Sequence, residues 1–366
     1  MFQKFNKIVS SLRRTQNDED KIVAMDKKHL KNLIEKEIRL HGNNCNLNHI
    51  DTSIITDMSF LFQSSQFNGD ISEWNVFQVK EMSHMFSDSL FNGDISQWNT
   101  CSVVDMNYMF SNSKFNGDIS QWNVSNVQDM GAMFSGSQFN SDISAWNTCS
   151  VINMSWMFYN SKFNNDISKW NVSKVQDMSM MFARNEFSTD ISSWNTSCVT
   201  DMSHMFSNSK FNGDISQWNT AAVVNMENMF AFSKFNNDIS QWNTSNVQNM
   251  KGLFLFSLFD RDISSWDVSN VKNMENIFKN SQFNGDVSQW RVINLENMTN
   301  AFNDDTINEQ GTQITKKRTT TPYWAEISDL DKRRKAIQIK KIEKYLINKR
   351  ANYLPKQDTN KNNNKL

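Results

Sequence analysis

Tryptophan returns at 74, 98, 122, 146, 170, 194, 218, 242, 266 and 290, every 24 residues without a slip. Its neighbours keep step: Phe67 recurs through Phe283, Asp70 through Asp286, Ser72 through Ser288, and Met58 and Phe62 run on to Met298 and Phe302. A period held in register this long means one supersecondary unit per coil, each burying its apolar side against the next. The chain is therefore read as about ten stacked coils over residues 45–303, between an N-terminal segment (1–44) and a C-terminal one (304–366). With Phe 27, Met 21 and Trp 12 there is enough apolar surface for a core. A mean hydropathy of −0.61 makes that core thin and polar-jacketed.

One unit reads, over residues 115–134, Phe-Asn-Gly-Asp-Ile-Ser-Gln-Trp-Asn-Val-Ser-Asn-Val-Gln-Asp-Met-Gly-Ala-Met-Phe. Asp-Ile-Ser suits a short strand with its β-branched residue inward. Met130, Met133 and Phe134 have the i, i+3, i+4 spacing of a helical face. Ser125 and Gln128, like Ser173/Gln176 and Ser245/Gln248, are spaced as a capping box for a two-turn helix. The pleat fails after Ser120, which predicts a corner there. The residue before Asp, variously Gly, Asn, Ser, Thr or Arg, suggests a left-handed or bulged position. The fold class expected is an α/β solenoid, one short parallel strand and one short helix per coil. A helix over Glu19–His41 would cap the first coil, since terminal coils otherwise expose apolar faces. Asn303–Thr321 reads as a linker, 323–354 as a basic helical tail, and Gln357–Leu366 as too polar to pack.

The run Phe-Asn-x-Asp-Ile-Ser-x-Trp-Asn-(Val/Thr)-Ser-x-Val-x-(Asp/Asn)-Met-x-x-Met-Phe resembles the repeat of BspA-like bacterial surface proteins, relatives of leucine-rich repeats. The resemblance covers roughly residues 45–303. It implies a right-handed leucine-rich-repeat-like array used for adhesion or protein binding, usually displayed on cells.

Charge is segregated. Residues 1–50 hold 10 Lys/Arg against 6 Asp/Glu, residues 311–366 hold 15 against 5, and the array between carries 13 against 28. The tail (Lys332-Arg333-Arg334-Lys335, Lys340-Lys341, Lys349-Arg350) could contact nucleic acid or an anionic membrane, lie on the acidic array, or stay solvated. The first ten residues lack the continuous apolar stretch of a secretory signal, and no run reaches the 18 or so apolar residues of a membrane helix.

Sites are judged column by column. The Asp row (Asp70, Asp94, Asp118, Asp142, Asp166, Asp190, Asp214, Asp238, Asp262 and Asp286) would bring carboxylates about 5 Å apart. Either a cation such as calcium offsets their repulsion, or the Ser two residues on and nearby amides do; the second is favoured because each unit offers one Asp and often no Gly. The invariant Phe, Met and Trp rows read as core. The column through His84, Tyr108, Ala132, Trp156, Met180, His204, Asn228 and Gly252 varies and has interface composition, so His84, Tyr108, Trp156, Met180 and His204 are the binding-surface residues expected. Cys101 and Cys149, two coils apart, are too distant for a disulfide. No nucleophile–base pair, phosphate loop or zinc spacing is present. The expected function is non-enzymatic, binding another protein along an extended face, with no cofactor or small-molecule substrate. The alternatives are an interaction protein tethered by its basic tail and a calcium-stabilised roll.

Overall fold

The computed structural model describes residues 21–307, 313–317, 322 and 325. Its elements are β1 (Ile22–Val23), α1 (Lys27–His41), β2 (Ile50–Asp51), β3 (Asn303–Ile307) and β4 (Gln313–Lys317). Between β2 and β3 the 24-residue units form a repeat array, each unit hydrogen-bonded to the next. Isolated parallel bridges run Asp57↔Glu81↔Asp105↔Asp129↔Asn153 and onward, unit by unit, to Asn297.

No α-helix occurs within the described repeats, which corrects the strand-plus-helix reading. Around Met130–Ser137, alternate amides face two ways. Met130, Ala132, Phe134 and Gly136 donate to the carbonyls of Asn153, Ser155, Met157 and Tyr159 in the next coil, at 3.0, 2.7, 3.0 and 2.7 Å. Met133, Ser135 and Ser137 donate to Met130, Ala132 and Phe134, three residues back. An α-helix would need every amide to reach four residues back. A two-turn helix is marginal alone, and the stack offers half its donors a partner in the next coil. Two residues per unit have positive φ, as Ala132 (51°) and Gly136 (65°) do here, so the chain winds as successive tight turns. Met130, Met133 and Phe134 nevertheless all point inward and are fully buried. The expected capping boxes become turns as well: Asn123 Oδ1 accepts from the Ser125 amide at 3.1 Å and from its hydroxyl at 2.7 Å.

Asp-Ile-Ser is not the pairing strand either. Among these segments only Asp70 makes a bridge, to Asn46, while the main ladder lies at the Asp, Asn or Glu before each Met. Ile119–Trp122 forms the corner, with the Trp122 amide on the Ile119 carbonyl at 3.1 Å. The left-handed residues lie within the Met-x-x-Met-Phe stretch and two residues after it, not before Asp.

The core is a set of aromatic files. Phe134 stacks on Phe139 at 4.1 Å and on Phe158 of the next coil at 5.9 Å, and Trp146 stacks on Trp170 at 6.3 Å. Each Trp is also tied to the previous coil: the Nε1–H groups of Trp122 and Trp146 donate to the Ile95 and Ile119 carbonyls, both at 3.0 Å. This satisfies the one polar atom that burying tryptophan would strand. Buried Thr hydroxyls do the same forward, Thr148 Oγ1 to the Asn171 carbonyl at 3.0 Å. The Asn that follows Phe115, Phe139 and most of their equivalents extends the ties sideways, as the Asn140 amide donates to Asn116 Oδ1 at 2.7 Å.

At the N-terminal end, α1 is shorter than expected. Asp26 caps it by accepting from the His29 amide at 2.7 Å, and Leu30 and Ile34 are its buried residues. Ile22 and Val23, read as part of that helix, instead pair parallel with Ile50 and Asp51. At the other end the expected linker contains an antiparallel hairpin, Asn303–Ile307 against Gln313–Lys317. The helical tail expected over 323–354 and the stretch 357–366 lie outside the described residues, Ala325 apart. Among the described residues no helix is long and apolar enough to cross a membrane.

Candidate functional site

The Asp row is used locally. Asp118 Oδ1 accepts from the Ser120 amide at 2.9 Å, Asp142 from Ser144 and Asp166 from Ser168 at 2.8 Å, and Asp70 also takes the Ser72 hydroxyl at 2.7 Å. Those amides, then the hydroxyls, hold the Asp118, Asp142 and Asp166 carboxyls below the usual range. A small local turn thus occupies each carboxylate, and among the described residues no three His, Cys, Asp or Glu are grouped to hold a metal. Cys45, Cys101, Cys149 and Cys198 are all free thiols.

The variable column is different in kind. Phe60, His84, Tyr108, Ala132, Trp156, Met180, His204 and Asn228 all have positive φ, from 51° to 64°. A turn with φ > 0 at its third residue favours Gly or Asn, and this column does use Gly252, Asn228, Asn276 and Asn300. Placing a bulky side chain there costs about 1–2 kcal/mol. Tyr108 and Trp156 are 38% and 37% exposed, while His84, Met180 and His204 are half-buried. Phe60, His84 and Tyr108 form one ring stack, with centroids 4.7 and 4.6 Å apart and planes within 11° and 5°. Trp156 leans on Tyr159 of its own coil at 4.7 Å. The five expected residues therefore fall on one file, with His84 and Tyr108 in direct contact. Trp156, Met180 and His204 follow in later coils.

The sequence reading missed what borders this file. Three residues before each member stands the bridging residue, and in the first four coils it is acidic: Asp57, Glu81, Asp105 and Asp129. Burial first, then the neighbouring carboxylates, pushes Glu81 and Asp105 up. Asp57 is held down by the Ser59 and Lys27 hydrogen bonds, which outweigh burial. An unbroken acidic run beside the variable column was visible in the sequence. A second ring pair, Phe232 on Phe256 at 5.0 Å, uses the other positive-φ position, at 56° and 53°.

Burial holds the His84 and His204 imidazoles below the usual histidine range, against the opposing pull of nearby carboxylates. The unfolded chain takes up these protons near pH 6.5, where the folded chain still resists them. Their contribution to stability is therefore complete above that pH and lost as pH falls through it. Glu81 and Asp105, raised chiefly by burial, act in the opposite sense, gaining stability as pH falls through the carboxylate range. Replacing both histidines by Asn should flatten the fall in melting temperature between pH 7 and 5; an unchanged profile would refute the assignment.

Comparison with curated proteins finds no match, and none is found among solved structures. The model of the family described as "Mycoplasma protein of unknown function, DUF285" matches three times, over residues 28–140, 133–234 and 210–315. Those matches span α1, every coil and most of the terminal hairpin, so the chain belongs to this family of repeat proteins.

Proposed function

We propose that the array is a solenoid serving as a non-enzymatic protein-binding module, and that the file from Phe60 to His204 is its contact face. The observation that carries this reading is the backbone: bulky side chains stand where Gly or Asn would relieve strain, and Tyr108 and Trp156 are left more than a third exposed there. Local strain retained at exposed aromatic positions points to a contact role for the side chain. Exposed Tyr and Trp are the residues that anchor protein interfaces. The stack gives that face length, roughly 29 Å for the six steps from Phe60 to His204 at sheet spacing. The likeness of the repeat unit to BspA-like surface proteins makes adhesion the setting this reading favours.

Photo-crosslinking from the array, with Tyr108 and Trp156 both changed to Asn, tests it. Asn tolerates positive φ, so the double variant should melt within a few degrees of the parent while its crosslinked partner is lost. An equal crosslinking yield from the variant would remove this face from consideration.

A further inference from the structure

Lys27, at the start of α1, shows what the face can hold. Its ammonium lies 3.0 and 3.1 Å from the two carboxylate oxygens of Asp57 and 5.6 Å from the ring centre of Phe60. One carboxylate and one ring of the first coil thus grip a single cation, an ion pair supplemented by cation–π attraction. Asp105 and Tyr108 are the counterparts of Asp57 and Phe60 two coils on. The bridges keep the acids in register, and the near-parallel stack keeps the rings in register. The carboxylate-to-ring spacing is therefore carried along the array; His84 covers one face of Tyr108, and the next member of the file, Ala132, has no ring to cover the other.

We propose that Asp105 and Tyr108 take a lysine side chain from an extended segment of another protein, as Asp57 and Phe60 take Lys27. This rests on the reading of the file as a protein-binding face and names the chemistry of its partner. Charge complementarity selects the place. Asp57 has Lys27, and Asp129 receives the carboxamides of Asn107 and Asn153 at 3.3 and 3.0 Å. After Asp129 the row turns neutral at Asn153. Between these compensated ends lie Glu81 and Asp105, each disfavoured as an anion by burial and by neighbouring carboxylates. An arriving ammonium would relieve that repulsion, and Tyr108 is exposed to receive it.

The test titrates the full chain calorimetrically with an eight-residue peptide of alternating Lys and Ser, against the same peptide with Gln for Lys. The lysine peptide should bind and the glutamine peptide should not. Asp105→Asn should weaken binding about tenfold, and Tyr108→Leu about threefold by removing the ring face. Asn already occupies the equivalent of Asp105 at 153 and 225, so this variant should fold, which its melting curve checks. Asp214→Asn, in the separate Asp row, should change nothing. Undiminished binding by Asp105→Asn, or an equal loss from Asp214→Asn, overturns the proposal. If the crosslinked partner is lost on changing Tyr108 and Trp156 but indifferent to Asp105→Asn, the lysine assignment fails while the protein-binding face stands.

Discussion

Phe158→Ala should destabilise the array by about 3–5 kcal/mol, the range for removing a fully buried aromatic ring. Phe158 is wholly buried and touches four rings: Phe134 and Phe182 in the neighbouring coils, both at 5.9 Å, and Phe163 and Trp170 at 4.1 and 6.1 Å. In a stack whose stability is a sum of coil and interface terms, the loss falls on the two interfaces at mid-length. Denaturation followed by near-ultraviolet circular dichroism should then show a lowered midpoint and a broadened or split transition. Phe302→Ala, in the last coil and tilted 42° to Phe278, should fray one end and lose less than half as much. Equal losses at the two positions would mean that the array does not behave as a one-dimensional stack.

Excising a whole coil should be tolerated where excising half a coil is not. Removal of residues 159–182 joins Phe158 to Ala183, and every column stays in phase because Trp194 then follows Trp146 at the 24-residue interval. The Phe158 amide, which donates to the Met181 carbonyl at 3.0 Å, would find Met205 in its place. The shortened protein should unfold cooperatively and lose about 17 kcal/mol of unfolding enthalpy, at roughly 0.7 kcal/mol per residue over the missing coil. Removal of 159–170 alone places Asn171 after Phe158 and throws every later column half a turn out of phase. The first coil beyond the junction would then set polar residues against the Phe and Trp files, so one interface is lost and the unfolding transition should split in two. A single cooperative transition from both deletions would refute one coil per 24 residues.

These two experiments test what was legible without coordinates. The invariant columns were correctly read as inward: Phe67, Ile71, Trp74, Met82 and Phe86, with their equivalents, form one continuous buried core. That the variable column forms one file was legible because its members recur at the 24-residue interval. The local partners of the Asp row followed from the Ser two residues on. What failed was the backbone between the inward points. The spacing of Met130, Met133 and Phe134 suits a helix, yet the same side chains reach the core from a run of turns. Ile22–Val23 and Asn303–Ile307 were misread for a related reason, since each pairs with a segment that local pattern does not reveal.

The amino-acid order alone determined the period, the identity of the buried files and the segregation of charge, because a repeated apolar pattern admits few ways of hiding itself from water. Only the tertiary structure decided where each backbone amide finds its carbonyl, which residues take positive φ, and that Lys27 rests on Asp57 and Phe60. Those outcomes rest on groups brought together from adjacent coils, 23 to 33 residues apart in sequence. A hydrogen bond from the next coil competes directly with one inside the segment, and no local window of sequence contains both competitors.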